Sequence, residues 1–261
     1  MPIAKLTGVD IAYRLEGLAD RPVVVLGNSL GTDFGMWDPQ TAALTERFRV
    51  LRFDMRGHGA SSTPPAGFGI DAMAQDVIAL TTHLGIEHFA YCGLSLGGLV
   101  GQHLAVHHGA RLTRVVLCNT SPSLPPKENW DARAKAVRES GMNAIVDLAM
   151  SRFFSDGYRA KNEPLAATIR TTFLGTNPEG YAGACIAIRD ADYHPDLARI
   201  RTPTLCVGGS LDVSTPPAMG ADVMAGAIPG AKKIILEAGH ISNVEQPAAF
   251  NAAVVGFLAS S

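Results

Sequence analysis

The feature that most constrains the fold of this chain is the G-L-S-L-G turn at residues 93–97. Residues 88–92 are rich in strand formers and residues 96–107 suit a helix, so the turn joins a strand to a helix. This is the context of a G-x-S-x-G turn, which holds its central residue in a strained conformation. We expect Gly93 and Gly97 to lie where strand and helix nearly touch, with the Ser95 hydroxyl projecting from the end of the sheet. The pattern alone equally fits a glycine-rich turn with a solvated serine.

The composition indicates a globular protein without a polyanionic partner. The chain has 261 residues, of which 47% are hydrophobic and 18% charged, enough for one large core or a core with an inserted subdomain. A formal net charge of −2 favours neither nucleic acid nor an anionic membrane. The N-terminal residues turn polar too early for a signal peptide, and glycines and polar residues interrupt the longest apolar region. We therefore expect a cytoplasmic protein, and the sequence leaves open whether it is a monomer or a homo-oligomer.

Cysteine spacing gives no sign of a metal site or of disulfides. The four cysteines, at positions 92, 118, 185 and 206, form no C-x-x-C pair. Three of them fall within predicted buried strands, where a thiol behaves as a small apolar group. We predict free, buried cysteines and no bound metal.

Apolar runs and helical periodicities alternate along most of the chain. Residues 3–16 predict an antiparallel hairpin, and further strands are predicted at 22–27, 49–54, 88–92, 114–118, 203–208 and 232–236. Helices between most of these strands, including those predicted at 216–228 and 244–259, specify a mostly parallel, eight-stranded sheet covered on both faces. Ligands of such sheets bind at the carboxyl ends of the strands.

One long segment interrupts this alternation. From residue 121 to residue 194 the periodicity is helical throughout, with helices predicted at 129–140, 142–154, 161–173 and 178–192. Because the segment leaves from the strand end where ligands bind, we interpret it as a cap over that face, although helices elsewhere on the surface would give the same pattern. The predicted division is a core at 1–120, a helical cap at 121–194 and the rest of the core at 195–261.

Three residues at strand ends form a candidate catalytic triad. A reactive serine needs a base, and the base needs a group that fixes its tautomer. Asp212 follows the predicted strand at 203–208, and His240 follows the strand at 232–236. With Ser95 they stand in the order Ser, Asp, His that is typical of α/β-hydrolases. The end of the preceding strand holds Asn119, which cannot supply a carboxylate.

Two backbone amides are the candidate donors to the oxyanion that forms during acyl transfer. One belongs to the residue after the serine, Leu96, and the other to Leu30 in the loop after the third strand. Gly27 and Gly31 allow that loop to fold tightly towards Ser95. Because the donors are backbone groups, we expect the leucine side chains to matter mainly for shape.

With these residues placed, the chain resembles the α/β-hydrolase superfamily over its whole length. Within it, four segments resemble the 3-oxoadipate enol-lactonases: N-S-L-G-T at 28–32 followed by M-W-D at 36–38, G-L-S-L-G-G at 93–98, N-W-D-A-R at 129–133 and H-I-S-N-V-E-Q-P at 240–247. Many relatives in the superfamily begin the oxyanion loop with His-Gly. This chain has Asn28 and Ser29 there, a departure that it shares with the enol-lactonases.

The resemblance implies hydrolysis of a small lactone, 3-oxoadipate enol-lactone, in the β-ketoadipate route of aromatic catabolism, with no metal or organic cofactor. The implied substrate carries a free carboxylate, which needs a cation in an apolar pocket. Trp130 and Arg133 are three residues apart on the first predicted cap helix and share a face. We expect both residues, together with Ser29, to bind substrate. The alternative for Arg133 is a solvated position on the outer face of the cap.

Two other functions remain open at this point. One is a carboxylesterase or a carbon–carbon bond hydrolase of the same fold, because fold and triad do not select the substrate. The other is a ligand-binding receptor that retains a hydrolase fold. A complete triad counts against a receptor, and turnover of a simple aryl ester distinguishes the two.

Overall fold

The fold is built on one eight-stranded sheet in a computed structural model that describes residues 1–64, 67–161 and 163–260. The strands are β1 (Ile3–Leu6), β2 (Val9–Glu16), β3 (Val23–Gly27), β4 (Arg49–Phe53), β5 (Phe89–Leu94), β6 (Leu112–Cys118), β7 (Thr204–Gly209) and β8 (Lys232–Leu236). Their order across the sheet is β1-β2-β4-β3-β5-β6-β7-β8. β1 and β2 form an antiparallel hairpin, β2 pairs antiparallel with β4, and all later neighbours are parallel. The predicted mostly parallel sheet of an α/β hydrolase is confirmed.

Helices cover both faces of the sheet. They are α1 (Asp38–Thr45), α2 (Ile70–His83), α3 (Leu96–His107), α4 (Lys127–Ser140), α5 (Val146–Phe153), α6 (Asp156–Ala160), α7 (Pro164–Gly175), α8 (Pro178–Asp190), α9 (Ala221–Ala227), α10 (Ser242–Glu245) and α11 (Pro247–Leu258). Every residue of β5 and β7 is buried, because helices pack on both sides of the central strands. No helix of the described residues is long and apolar enough to cross a membrane.

Several predicted helices are shorter or divided. The helix predicted at 216–228 begins only at Ala221, and the one predicted at 244–259 is split into α10 and α11. Pro247 has no amide hydrogen to donate to the preceding turn, so it begins a new helix. The segment predicted at 142–154 starts as a short 3₁₀ turn before α5, and α7 begins at Pro164. Part of the prediction at 161–173 falls on Asn162, which lies outside the described residues.

The helical insertion lies between β6 and β7, as the periodicity predicts. All helices from α4 to α8 fall within residues 121–194. α4 and α8 pack against each other along their length. The division of the chain into a two-part core and a cap with these boundaries stays a prediction.

The register of the central strands brings the important loops to the same edge of the sheet. The chain runs from β3 to β4 and then crosses to β5 on the other side of β3, which makes the ends of β3 and β5 a topological switch point. Gly27 and Gly93, near the ends of these two strands, are paired in register. The loops that follow therefore start side by side.

Candidate active site

Ser95 is the single residue between the end of β5 and the start of α3. Its backbone has φ +57° and ψ −112°, in the left-handed region that residues other than glycine rarely adopt. The next strand holds this conformation: the Ser95 amide donates to the Cys118 carbonyl at 2.9 Å, and the Thr120 hydroxyl donates to the Ser95 carbonyl at 2.9 Å. The strained strand-to-helix turn predicted from the G-x-S-x-G pattern is confirmed.

The glycines around Ser95 are required by close backbone contacts. A Cβ atom on Gly97 would lie 2.3 Å from the carbonyl oxygen of Gly27, and one on Gly93 would lie 2.1 Å from the carbonyl oxygen of Gly97. Both distances are far inside van der Waals contact. The close approach predicted for Gly93 and Gly97 is therefore confirmed, and it joins β3, β5 and α3.

We expect Gly97→Ala to lower the free energy of unfolding by about 3 kcal/mol, because the new methyl group must push backbone apart. Urea denaturation followed by circular dichroism measures the change. The matched control is Gly256→Ala in α11, where an added Cβ has no neighbour within 4 Å and alanine favours the helix by roughly 0.5–1 kcal/mol. Equal midpoints for Gly97→Ala and the parent protein would contradict this account of the turn.

The loop after β3 is anchored to the turn by Asn28. Its carbonyl accepts the Gly97 amide at 2.9 Å, and its side chain donates to the Phe53 carbonyl at 2.9 Å and accepts from Trp37 Nε1 at 3.1 Å. Asn28 thus links this loop, the strand-to-helix turn at residues 93–97 (the elbow) and the end of β4. These contacts explain why Asn28 and Trp37 occur in the segments that resemble the enol-lactonases.

The two residues predicted to supply the oxyanion donors, Leu30 and Leu96, lie in the same region of the structure as Ser95. Leu30 lines the same cavity as Ser95, and Leu96, the next residue along the chain, is buried. Across residues 1–64, 67–161 and 163–260, neither the Leu30 amide nor the Leu96 amide donates a hydrogen bond. Both donors are therefore available to an oxygen atom bound at Ser95.

Asp212 and His240, which follow β7 and β8, are joined by a hydrogen bond. His240 Nδ1 lies 2.9 Å from Asp212 Oδ2, and both residues are almost completely buried. An ionised carboxylate only accepts hydrogen bonds, so Nδ1 carries the proton and Nε2 is left as the acceptor. The structure thus gives His240 the tautomer that a general base requires.

The environment of Asp212 keeps its carboxylate ionised. Burial alone would raise the pKa of Asp212, but the electrostatic influence of the adjacent His240 ring and the hydrogen bonds from His240 and Thr215 hold that pKa well below its usual range. The Ser214 and Thr215 amides donate to Oδ1 at 2.8 and 2.9 Å. The Thr215 hydroxyl donates to Oδ2 at 2.7 Å.

Ser95 and His240 line one cavity with a volume of about 340 Å³. Among the described residues the Ser95 hydroxyl forms no hydrogen bond, so its bond to the histidine ring is not made in this structure. Such bonds often tighten only when substrate binds. The ring plane of Phe153 lies 19° from that of His240, with the ring centroids 6.2 Å apart.

The predicted substrate-binding residues line the same cavity. The Ser29 hydroxyl is buried and has no hydrogen-bond partner within the described part of the chain. Trp130 donates through Nε1 to the Leu124 carbonyl at 2.6 Å, which holds its ring in place. The guanidinium carbon of Arg133 lies 5.0 Å from the Trp130 ring centroid. Arg133 also lines the cavity and is therefore not at the solvated outer position that was the alternative for it.

Within the described part of the chain, Arg133 has a hydroxyl partner but no carboxylate partner. Its Nη2 donates to the Tyr181 hydroxyl, and its Nε is buried with no partner among the described residues. Burial raises the pKa of Tyr181 far above its usual value, in spite of the opposing charge of Arg133, so the phenol stays neutral. Tyr181 therefore does not neutralise the guanidinium group.

Sequence reasoning missed three residues that support or line the site. Asn119, considered only as a failed acid, donates through Nδ2 to Asp212 Oδ2 at 3.1 Å and to the Gly239 carbonyl at 3.3 Å. Its position at the end of β6 is the sequence signal that could have identified it as a residue of the site. Thr215 binds Asp212, and Arg152 on α5 lines the cavity. No local pattern marks either of these two residues.

The described residues contain no cluster of three or more His, Cys, Asp or Glu side chains that could hold a metal ion. The four cysteines are all buried and free. Cys92 and Cys118 lie on neighbouring strands with their sulfur atoms 3.9 Å apart. This agrees with the prediction that the cysteines are structural.

Comparisons of sequence and of structure match this chain to the same kind of protein. A model of the α/β hydrolase fold matches residues 22–140. The chain is 41% identical to 3-oxoadipate enol-lactonase 2 of Acinetobacter baylyi, over 95% of this chain and 94% of that protein. The crystal structure of the enol-lactonase from Burkholderia xenovorans superimposes with a TM-score of 0.97 at 42% identity, covering 99% of this chain and all of that one.

A more distant solved structure is a thermophilic esterase from Thermogutta terrifontis with malate bound. It has a TM-score of 0.93 and 29% identity, covering 99% of this chain and 98% of that one. The shared fold, the sequence identity to these proteins and the large aligned share of each chain all indicate a hydrolase that acts on carboxylic ester bonds. The chain belongs to the 3-oxoadipate enol-lactonase family of the α/β-hydrolase superfamily.

Proposed function

We propose that this protein opens 3-oxoadipate enol-lactone to 3-oxoadipate with Ser95, His240 and Asp212 as its catalytic triad, in the β-ketoadipate pathway of aromatic catabolism. The observation that carries the proposal is the shared cavity of Ser95 and His240, in which the 2.9 Å hydrogen bond to Asp212 orients the ring. The names of the relatives at 35–42% identity support the choice of lactone.

Acylation begins with the addition of Ser95 Oγ to the lactone carbonyl while His240 Nε2 takes the hydroxyl proton. The Leu30 and Leu96 amides stabilise the resulting oxyanion. Collapse breaks the bond to the ring oxygen, and His240 returns the proton to the enolate that leaves. An enolate is a better leaving group than an alkoxide, and its enol form becomes a ketone.

Deacylation repeats the same steps with water. His240 takes a proton from a water molecule, which adds to the acyl carbon and forms a second tetrahedral intermediate. Its collapse breaks the bond to Ser95 Oγ, which regains its proton from His240. The product carries the original carboxylate and a new one, and no metal or organic cofactor takes part in this sequence.

Ser29 has a place in this reaction as a substrate-binding group. A buried hydroxyl without a partner costs about 1–3 kcal/mol, and a substrate oxygen in the cavity would remove that cost. Ser29 immediately precedes Leu30, so its hydroxyl lies next to one of the two proposed oxyanion donors.

We expect Arg133→Ala to lower kcat/KM for the carboxylate-bearing lactone by roughly 10- to 150-fold. The basis is that a hydrogen bond to a charged group contributes ~1.5–3 kcal/mol. Steady-state kinetics on this lactone and on a neutral aryl ester measure the effect, and the neutral ester should lose much less. Arg138→Ala is the matched control, because Arg138 lies on the same helix and pairs with Glu179 outside the cavity. Equal losses of kcat/KM on both substrates would indicate that the substitution damages the helical insertion. No loss on either substrate would show that Arg133 does not bind substrate.

The function itself is tested with a panel of lactones and esters assayed on the purified protein. The proposal requires that the enol-lactone be the best substrate of the panel. A higher kcat/KM for simple neutral esters would favour a carboxylesterase, the alternative supported by the similarity to the Thermogutta esterase. Failure to turn over any lactone or aryl ester would favour a receptor.

A further inference from the structure

The arginines of the helical insertion fall into two groups. Six arginines lie between α4 and the end of α8. Four of them pair with carboxylates, namely Arg138 with Glu179, Arg159 with Asp156, Arg170 with Asp147, and Arg189 with Asp131 and Asp190. The other two, Arg133 and Arg152, have no carboxylate partner in the described part of the chain, and these two line the cavity.

The cavity lining carries positive charge without compensation. Its described lining contains Arg133 and Arg152 and no aspartate or glutamate residue. The four arginines elsewhere in the insertion, by contrast, are paired with carboxylates. Opposite charges attract strongly across a partly desolvated pocket, and a guanidinium group matches a carboxylate in geometry as well as charge. This cavity therefore favours anions, and its charge suits a molecule with two carboxylates.

The end of α5, the helix that carries Arg152, is held near the histidine end of the site. Phe153, the next residue on α5, faces the His240 ring, and its carbonyl accepts the Ile241 amide at 2.9 Å. The Ser155 amide, just after α5, donates to Glu245 Oε2 at 3.1 Å. The end of α5 is thus attached directly to the segment that carries His240. Arg133 instead lies on α4, against Trp130 and Tyr181.

We infer that Arg152 is a second carboxylate-binding residue, which contacts the carboxylate that hydrolysis generates at Ser95 while Arg133 binds the carboxylate already present on the substrate. This assignment rests on the proposed function, since that reaction converts a monocarboxylate into a dicarboxylate. Arg133 is partly buried and Arg152 is exposed. The contact made by Arg152 is therefore the weaker one, which lets the product leave.

The test compares two simple inhibitors of aryl ester hydrolysis. Adipate has a carboxylate at each end of a six-carbon chain, and hexanoate has only one. Inhibition constants are measured with 4-nitrophenyl acetate as substrate, each variant being compared with its own uninhibited rate. We expect Arg152→Gln to raise the inhibition constant of adipate about fivefold, the upper range for an exposed ion pair, and that of hexanoate by less than about twofold.

Arg170→Gln is the matched control, because Arg170 belongs to the same insertion, pairs with Asp147 and does not line the cavity. It should leave both inhibition constants unchanged. The inference is overturned if Arg152→Gln changes neither constant, if it changes both equally, or if Arg170→Gln has the same effect. Because the assay uses an aryl ester, a selective loss of adipate binding supports the arginine assignment even if the enol-lactone is not a substrate. If the protein turns over the lactone but Arg152→Gln does not weaken adipate binding, the role assigned to Arg152 is contradicted and the proposed function is not.

Discussion

Ser95→Ala is expected to lower kcat by roughly 10⁶-fold, as removal of a serine nucleophile does in other hydrolases. Without the hydroxyl no acyl-enzyme forms, and only the oxyanion donors and substrate binding remain. Rates on the enol-lactone and on an aryl ester, measured at high enzyme concentration, determine the loss. A variant that retained a tenth of the activity would show that Ser95 is not the nucleophile.

The same substitution should have little effect on folding. Alanine can occupy the strained backbone position at least as well as serine, and the hydrogen bonds that hold this position involve the Ser95 amide and carbonyl. The thermal unfolding midpoint of Ser95→Ala should therefore match that of the parent protein. Ser140→Ala, at the exposed end of α4, serves as the control for both activity and stability.

Asp212→Asn is expected to lower kcat by about 10⁴-fold. The carboxylate accepts five hydrogen bonds from the described residues, two at Oδ1 and three at Oδ2, and each of these partners is a donor. An amide has one accepting oxygen, so in either orientation its NH₂ group faces donors. With the oxygen towards the backbone amides, the NH₂ group faces His240 Nδ1. That arrangement moves the ring proton to Nε2, where the base can no longer accept a proton from Ser95.

Steady-state kinetics and the pH profile test the acid assignment. The aspartates at positions 190 and 192 are the controls, since both are exposed on the surface of the insertion and pair with Arg189 and His194. Their substitution by asparagine should leave kcat nearly unchanged. A nearly silent Asp212→Asn together with an essential Asp190 or Asp192 would show that the acid comes from the insertion.

The catalytic candidates could be predicted from the sequence because each follows an apolar strand. Strand ends of a parallel sheet share one edge, so Ser95, Asp212 and His240 are brought to that edge by chain order alone. The elbow glycines were predictable for a similar reason, since a strand that turns directly into a helix leaves no room for side chains there. These predictions use short-range pattern and the general geometry of α/β sheets.

The supporting residues could not be predicted in this way. Asn119 contacts Asp212 because β6 and β7 are neighbours in register, and Arg152 reaches the cavity because the end of α5 is attached to the His240 segment. Partners 93 residues apart in the chain leave no periodic signal. Helix boundaries at proline and the 3₁₀ turn before α5 likewise depended on local hydrogen bonding that periodicity does not describe.

The sequence by itself determined the order of the strands and of most helices, the elbow and the residue types at the strand ends, because these depend on local conformation and hydrophobic pattern. Only the tertiary structure decided that Arg133 faces the cavity, that Arg152 joins it there, and that Ser29 has a buried hydroxyl without a partner among the described residues. The physical reason is that charge pairing and burial depend on which elements pack together. The arginines of the insertion that pair with carboxylates and the two that line the cavity look alike in sequence, and only packing separates them.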